Sequence, residues 1–264
     1  MNSRISTVSG SVLRYPGGKT RAIKILDPFV PSGTTELCAP FVGGASFELH
    51  CAQNKKIHVY AYDSFEALIN FWNYLKTTPQ SLVKRIREFH PLSKSDFYHL
   101  RDTVLKSPNN LDRAAAFFAV NRSSFSGTTC SGGYSAESAE KRFTLSSIDK
   151  LLKIDLSNIE FVCADFEDAI ARHPHTLLFL DPPYALEDGK SKLYGHSGNL
   201  HENFDHQRLF RVLQQHPKWI LCYNNSPIIR KIYDGTNYRI HDDVKWSYGM
   251  SADKSSKEIV ITRF

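Results

Sequence analysis

The segment TLLFLDPPYAL, residues 176–186, decides how the rest of the chain is read. Leu177, Leu178, Phe179 and Leu180 follow one another without a polar interruption, and the run stops at Asp181, Pro182, Pro183 and Tyr184. A short apolar run bounded by turn residues predicts a buried strand. Its ending supplies chemistry in a fixed frame. The two prolines have no N–H groups, so their carbonyls need not serve a helix, and a residue before proline is held extended. Asp181 offers an acceptor carboxylate, the Pro182 carbonyl a second acceptor, and Tyr184 a flat ring. An amino group on an aromatic ring suits such a site: both N–H bonds are accepted while the ring stacks on Tyr184. The competing reading is a plain Pro-Pro turn at a strand end.

Working outward, TTELCAP (34–40), KIHVYAYD (56–63), IEFVCADF (159–166) and KWILCYN (218–224) also predict strands. Phe65, Leu68, Ile69, Trp72 and Leu75 recur at helical spacing within 64–77. Further helices are read over 79–90, with Pro79 in the first turn, and over 93–107, 110–122 and 205–216, the last with Asp205 as N-cap. YRIHDDVKWSYG (238–249) and KEIVITRF (257–264) read as strands, the last pairing as a hairpin. Strands alternating with helices predict an α/β fold with a mostly parallel sheet and helices on both faces. The helical stretch 77–150 breaks the alternation and reads as an insertion between two parts of one catalytic domain, 1–76 and 151–264. Near its end, residues 121–142 are rich in Ser, Gly and Thr, the composition of a loop rather than a core. In open α/β sheets ligands bind beyond the carboxyl ends of the strands. Asp63, Asp165, Asp181 and the Pro40–Gly44 turn all stand at such ends, which predicts one shared cleft.

Composition narrows the class. A hydrophobic content of 41% with 23% charged residues describes a globular chain, and no apolar run approaches bilayer length. The N-terminus lacks the apolar core of a signal peptide, so a cytoplasmic protein with no membrane contact is expected. Five cysteines form no CxxC pair and read as reduced. The net charge of +6 leans toward a polyanionic partner, although many ordinary enzymes are mildly basic. RYPGGKT (14–20) is not a P-loop, because Leu13 stands where the first glycine is required. In isolation it also fits a turn with a surface lysine. No GxGxxG, HExxH or GxSxG occurs, and His196, His201 and His206 do not line one helix face, so no metal is expected. Gly43 and Gly44 would let backbone approach a ligand closely, and Asp63, about twenty residues on, suits ribose hydroxyls.

The order RYPGGKT, PFVGGAS, Asp63, NRSSFSG, CADF, DPPY, YNNSP resembles the D12-class, Dam-like DNA adenine N6-methyltransferases over about residues 13–264. The resemblance implies a Rossmann-like methyltransferase sheet with a C-terminal β-hairpin, an inserted DNA-recognition subdomain, and S-adenosyl-L-methionine as cofactor. It implies cofactor contacts at Tyr15 and Lys19, at Pro40, Phe41, Gly43 and Gly44, and at Asp63 on the ribose. Asp165 and Phe166 fall beside the cofactor's adenine, and Asp181 to Tyr184 at the target base. Glu258 sits where the family has a charged residue before its last strand. Two positions depart from the pattern: Ala39 replaces a usual glutamate, and Ala45 a usual glycine.

The same resemblance implies double-stranded DNA as partner and a target base rotated out of the stack. Phe125 matches an inserting aromatic, or anchors its loop; Arg122, Lys141 and Arg142 are candidates for phosphate contacts, with Ser126 and Thr128 beside them. Arg113, Lys84, Arg85 and Arg87 read instead as a solvated helix face. Dam-like enzymes that read GATC carry an arginine where this chain has Cys130, which points to a different short site. A cytosine N4-methyltransferase, an RNA adenine methyltransferase and a DNA-binding module with a vestigial cofactor pocket are the rival readings. A cognate restriction endonuclease and the oligomeric state stay open.

Overall fold

A computed structural model of the chain describes residues 10–107, 110–185, 204–235, 237–245 and 258–264. Its centre is a seven-stranded sheet built from β1 (Glu36–Ala39), β2 (His58–Asp63), β3 (Ile159–Cys163), β4 (Leu177–Leu180), β5 (Trp219–Asn224), β6 (Arg239–His241) and β7 (Glu258–Arg263). The strand order is β3-β2-β1-β4-β5-β7-β6. The first five of these are parallel, and β7 runs antiparallel to both β5 and β6. This is the Rossmann-like arrangement expected, and β6 with β7 supplies the hairpin.

The apolar run before Asp181 is β4, and all four of its residues are buried. It lies beside β1, with Leu37 opposite Leu177 and Cys38 opposite Leu178. The chain winds outward from β1 to β2 and β3, then returns to β4 on the other side. The crevice of a doubly wound sheet opens at such a reversal.

Successive strand residues face opposite ways, and two cores result. Leu37, Val59, Phe161, Leu177, Phe179 and Ile220 face α2 (Ser46–Asn54) and α3 (Glu66–Thr77). Leu178, Leu180, Trp219, Leu221 and Ile259 face α9 (Phe166–Arg172), α10 (His206–Gln214) and α11 (Pro227–Ile232). A further short helix, α1 (Ile23–Leu26), precedes β1.

Residues 79–149 form α4 (Pro79–Arg87), α5 (Lys94–Lys106), α6 (Asn110–Ser123), α7 (Ala136–Arg142) and α8 (Leu145–Asp149). Their buried residues, Leu82, Ile86, Phe97, Val104 and Phe117 among them, join the same core as α3. Of the residues read as a solvated face, Lys84 and Arg87 are exposed, and the three arginines also pair with acids: Arg85 with Asp112 and Glu88, Arg87 with Asp149, Arg113 with Glu66.

Two sequence expectations need correction. Residues 121–142 are not a loop. Turns of 3-10 helix at Phe125–Gly127 and Thr129–Ser131 lead into α7, whose N-cap Ser135 accepts from Ser138 N–H. Asn121, Ser123, Ser124, Thr129 and Cys130 are buried. The segment can be buried because its side chains replace water for its own backbone. Asn121 Oδ1 accepts from Arg14 N–H at 2.9 Å, while its Nδ2 donates to Arg14 O at 2.7 Å and Thr129 Oγ1 at 2.9 Å. The strand expected over 238–249 shrinks to β6, because only three residues pair with β7; 246–249 lie outside the described residues.

Candidate active site

The turn leaving β1 is shaped by three contacts. Val42 N–H donates to Tyr62 O at 2.8 Å, and Asp63 Oδ2 accepts from Gly43 N–H at 3.1 Å. The other oxygen of Asp63 accepts from Phe65 N–H at 3.0 Å. Asp63 thus ties the β1 turn to the end of β2. Burial pushes its carboxyl up to about 6, against the pull of those N–H groups. Gly43 has φ +45°, and a Cβ there would stand 2.8 Å from Tyr15 Cε1; one on Gly44 would stand 2.8 Å from Tyr15 Cβ. The paired glycines therefore make room for Tyr15 to lie across the turn.

Lys19 is not a surface lysine: it is 3% exposed. Its ammonium donates to Gly17 O at 2.9 Å and lies 2.7 Å from both carboxylate oxygens of Asp181. Burial acts to lower the Lys19 pKa, and the charges of Asp181 and Glu258 outweigh it, leaving lysine firmly protonated. Burial raises the Asp181 carboxyl above its ordinary value, with Lys19 pulling it back down. Among the described residues, the Pro182 carbonyl accepts no hydrogen bond.

Tyr184 is held by its hydroxyl, 2.6 Å from Glu258 Oε2 and 3.2 Å from Asp181 Oδ1. A phenol has one proton for these two acceptors, and the shorter contact assigns it to Glu258. The Lys19 ammonium stands over the Tyr184 ring, 5.1 Å from its centroid. Glu258 opens β7, is 4% exposed, and leaves Oε1 without a partner among the described residues. Burial pushes its carboxyl up to about 7, with Lys19 opposing.

Lys19 and Asp181 border a cavity of about 320 Å³. It brings together ten expected cofactor contacts: Tyr15, Lys19, Pro40, Phe41, Gly43, Gly44, Asp63, Asp165, Phe166 and Asp181. Pro183 lines it as well, whereas Pro182 and Tyr184 do not. Sequence reading missed Glu48, Phe204 and Arg208, which also line it. Phe41, Phe166 and Phe204 cluster with ring centroids 5.6–5.7 Å apart. The Asp165 side chain is committed: it caps α9 through Glu167 N–H at 2.9 Å and pairs with Arg208 at 2.6 Å. Arg208 also covers the Phe166 ring at 4.6 Å. Asp63, Asp165, Asp181 and the Pro40–Gly44 turn were expected from strand ends, and Tyr15 and Lys19 from the family resemblance; neither signal reaches Glu48 on α2, Phe204 before α10 or Arg208 on α10.

The residues expected on the DNA side fall into two groups. Phe125 is 69% exposed at the tip of its turn, next to Ser126 with φ 54°. Lys141 and Arg142 are exposed on α7. Arg122 is instead turned inward, donating to Arg142 O at 2.8 Å and Val12 O at 3.4 Å. Thr128 Oγ1 donates to Phe125 O at 2.8 Å. The five cysteines are unpaired, and all but Cys163 are buried. Among the described residues no His, Cys, Asp and Glu side chains group as a metal site, and no helix is long and apolar enough to cross a membrane. His196 and His201 lie outside the described residues.

The switch-point cleft of this Rossmann-like sheet thus presents Asp181 and Pro183 directly after β4. The family model for the D12 class N6 adenine-specific DNA methyltransferases matches residues 15–248, and the chain belongs to that family. It is similar to the DNA N-6-adenine-methyltransferase of Escherichia phage P1, 25% identical over 87% of this chain, and spans 32% of that relative's length. It is similar also to the DNA adenine methylase of Vibrio cholerae serotype O1, 24% identical over 86% of each chain. The Type II methyltransferase M.CviBI of Paramecium bursaria Chlorella virus NC1A is 21% identical over 90% of each. Among solved structures, the rRNA methyltransferase aviRa from Streptomyces viridochromogenes has a TM-score of 0.38 at 12% identity, covering 100% of this chain and 92% of that one.

Proposed function

We propose that this chain transfers the methyl group of S-adenosyl-L-methionine to N6 of an adenine rotated out of double-stranded DNA. The observation that carries the reading is the Lys19–Asp181 pair bordering one cavity with Asp63 and the Gly43–Gly44 turn.

The cavity's lining fits the cofactor. Its volume is about 320 Å³, aromatic at Phe41, Phe166 and Phe204, with the free lone pairs of Asp63 to take ribose hydroxyls and charged groups at Lys19 and Asp181. When bound, the cofactor supplies an electrophilic methyl on a sulfonium. The protein's own task is placement and polarisation. Lys19 opposes the rise that desolvation imposes on the Asp181 carboxyl, and an Asp181 oxygen accepts one N6–H of the target. The Pro182 carbonyl accepts the other. Two acceptors draw the nitrogen lone pair out of the adenine ring and toward the donor. Asp181 need not act as a formal base, because the proton leaves readily once N6 is alkylated. Tyr184, fixed by Glu258, offers its ring beside the base.

For the DNA side, the reading gives residues 77–150 the role of a target-recognition subdomain. Phe125 enters the stack that the flipped base vacates. Exposed Lys141 and Arg142 contact phosphates, and Arg122 braces α7 from behind. Cys130 is 4% exposed, so no side chain at that offset reaches guanine, which supports a site other than GATC.

The test is incubation of duplex oligonucleotides with tritiated donor, followed by digestion to nucleosides. Label is expected in N6-methyldeoxyadenosine; label in N4-methyldeoxycytidine, or transfer to RNA alone, would refute the reading. Asp181→Asn, which puts an amide donor where an acceptor is needed, is expected to lower transfer by about a hundredfold or more while DNA binding persists.

A further inference from the structure

The acidic and basic groups around the cavity are not matched in number. Lys19 is a single ammonium, already engaged by both oxygens of Asp181 and by Gly17 O. Around it are the half-buried carboxyl of Asp181 and two buried ones, from Glu258 and Glu48. Glu48 is the least explained. It sits in the first turn of α2, lines the cavity, and is 3% exposed. Among the described residues no cation lies within ion-pair distance of it. The backbone N–H groups of its own turn, at Phe47 and Glu48, lower its pKa but do not offset its burial. A carboxyl buried without a counter-ion destabilises a fold in the general case. Such a group is understandable where a ligand completes it.

We propose that Glu48 is the counter-charge for the ammonium at the amino-acid end of the methyl donor, a reading that rests on this cavity being the donor's site. The donor carries two cationic centres, a sulfonium and an ammonium. Only the ammonium has N–H donors, and a carboxylate without a cation is built to accept them. The donor's carboxylate then falls to other groups of the cavity. Ala39, wholly buried in β1, has no charge to offer, and Glu48 supplies one from the far side of the same turn. Burial pushes the Glu48 carboxyl up to about 8, the nearby Asp181 charge adding to the rise and Lys19 opposing it. The thiols of Cys51 on α2 and Cys222 on β5 face the same group, both pushed up by burial and so neutral. Near neutral pH Glu48 therefore holds a proton, and an arriving ammonium displaces it.

The experiment is calorimetric titration of wild type and Glu48→Gln with three ligands. S-adenosylmethionine has both cations, S-adenosylhomocysteine the ammonium alone, and 5′-methylthioadenosine neither. Titrations at pH 7 in buffers of different ionisation heat count the protons released. Glu48→Gln is expected to weaken the first two ligands alike, by about tenfold or more, and to leave the third unchanged. Wild type is expected to release a proton on binding the homocysteine ligand, and the variant not to. Equal binding by variant and wild type would overturn the inference while the cavity's assignment stood. Weakening of the methionine ligand alone would make the sulfonium the partner and also overturn it. Loss of all three in a variant that melts like wild type would mean general damage to the cavity, and would overturn it likewise. If wild type bound none of them, the cofactor assignment itself would fall, and this inference with it.

Discussion

Glu258 shows how burial sets a charge state against the pull of a short hydrogen bond from Tyr184 and the charge of Lys19. The Tyr184 hydroxyl stands 2.6 Å from one Glu258 oxygen, while the other oxygen has no partner among the described residues. The folded protein holds the Glu258 proton more tightly than the unfolded chain, with its pKa moved from 4.5 to about 7. The contribution to stability is therefore fully present below about 4.5 and is lost as pH rises through about 7. Glu258→Gln removes that dependence. Its melting temperature is expected to exceed that of wild type at pH 8, with the gap closing by pH 5, on a scale of a few kcal/mol. Melting curves at the two pH values check this, and a constant gap would argue against it. Gly44→Ala acts differently: its new Cβ would stand 2.8 Å from Tyr15 Cβ. Displacement of Tyr15 is expected to weaken cofactor binding about tenfold or more, measured by titration, with the melting temperature little changed.

At the level of elements, legibility depended on whether the partners were local. β4 could be read from its apolar run, and α3 from its spacing, because neighbours in sequence carry both signals. The 121–142 segment was misread because its partners are distant. Asn121 bonds Arg14, a residue 107 positions away, and no window of sequence contains both. Polar composition there marks a buried hydrogen-bonded knot, not exposure to water. Asn121→Ala would remove the partner of both Arg14 N–H and Arg14 O, and the Nδ2 contact to Thr129 Oγ1. A loss of about 2–4 kcal/mol is expected, read from urea unfolding, with faster amide exchange over residues 124–130. Glu48 escaped notice for a related reason: within its helix it resembles any first-turn acid, which ordinarily faces water. The aromatic cluster of Phe41, Phe166 and Phe204 was half legible, since two of its members follow strands and the third precedes α10.

Across the whole molecule, the positive charge has two uses. Some arginines bind helices to one another, as Arg113 does with Glu66, whereas on α7 Arg142 is exposed and exposed Lys141 pairs, among the described residues, only within its own helix, with Glu137 at 3.2 Å. Lys141→Ala is expected to lower the salt dependence of duplex binding by about one counterion in slope; so is Arg142→Ala, whereas Arg85→Ala should leave the slope alone. Phe125→Ala is expected to leave the melting temperature unchanged, since the ring is 69% exposed, yet to reduce base extrusion measured with 2-aminopurine at the target. The strand order carries a last consequence. β7 lies between β5 and β6 and brings in Glu258, whereas Lys19 comes from the first turns of the chain. A nascent polypeptide still emerging from the ribosome cannot close this sheet until residues 258–263 are synthesised. Premature termination upstream of them would leave genomic DNA unmodified by the fragment, however well its helices formed.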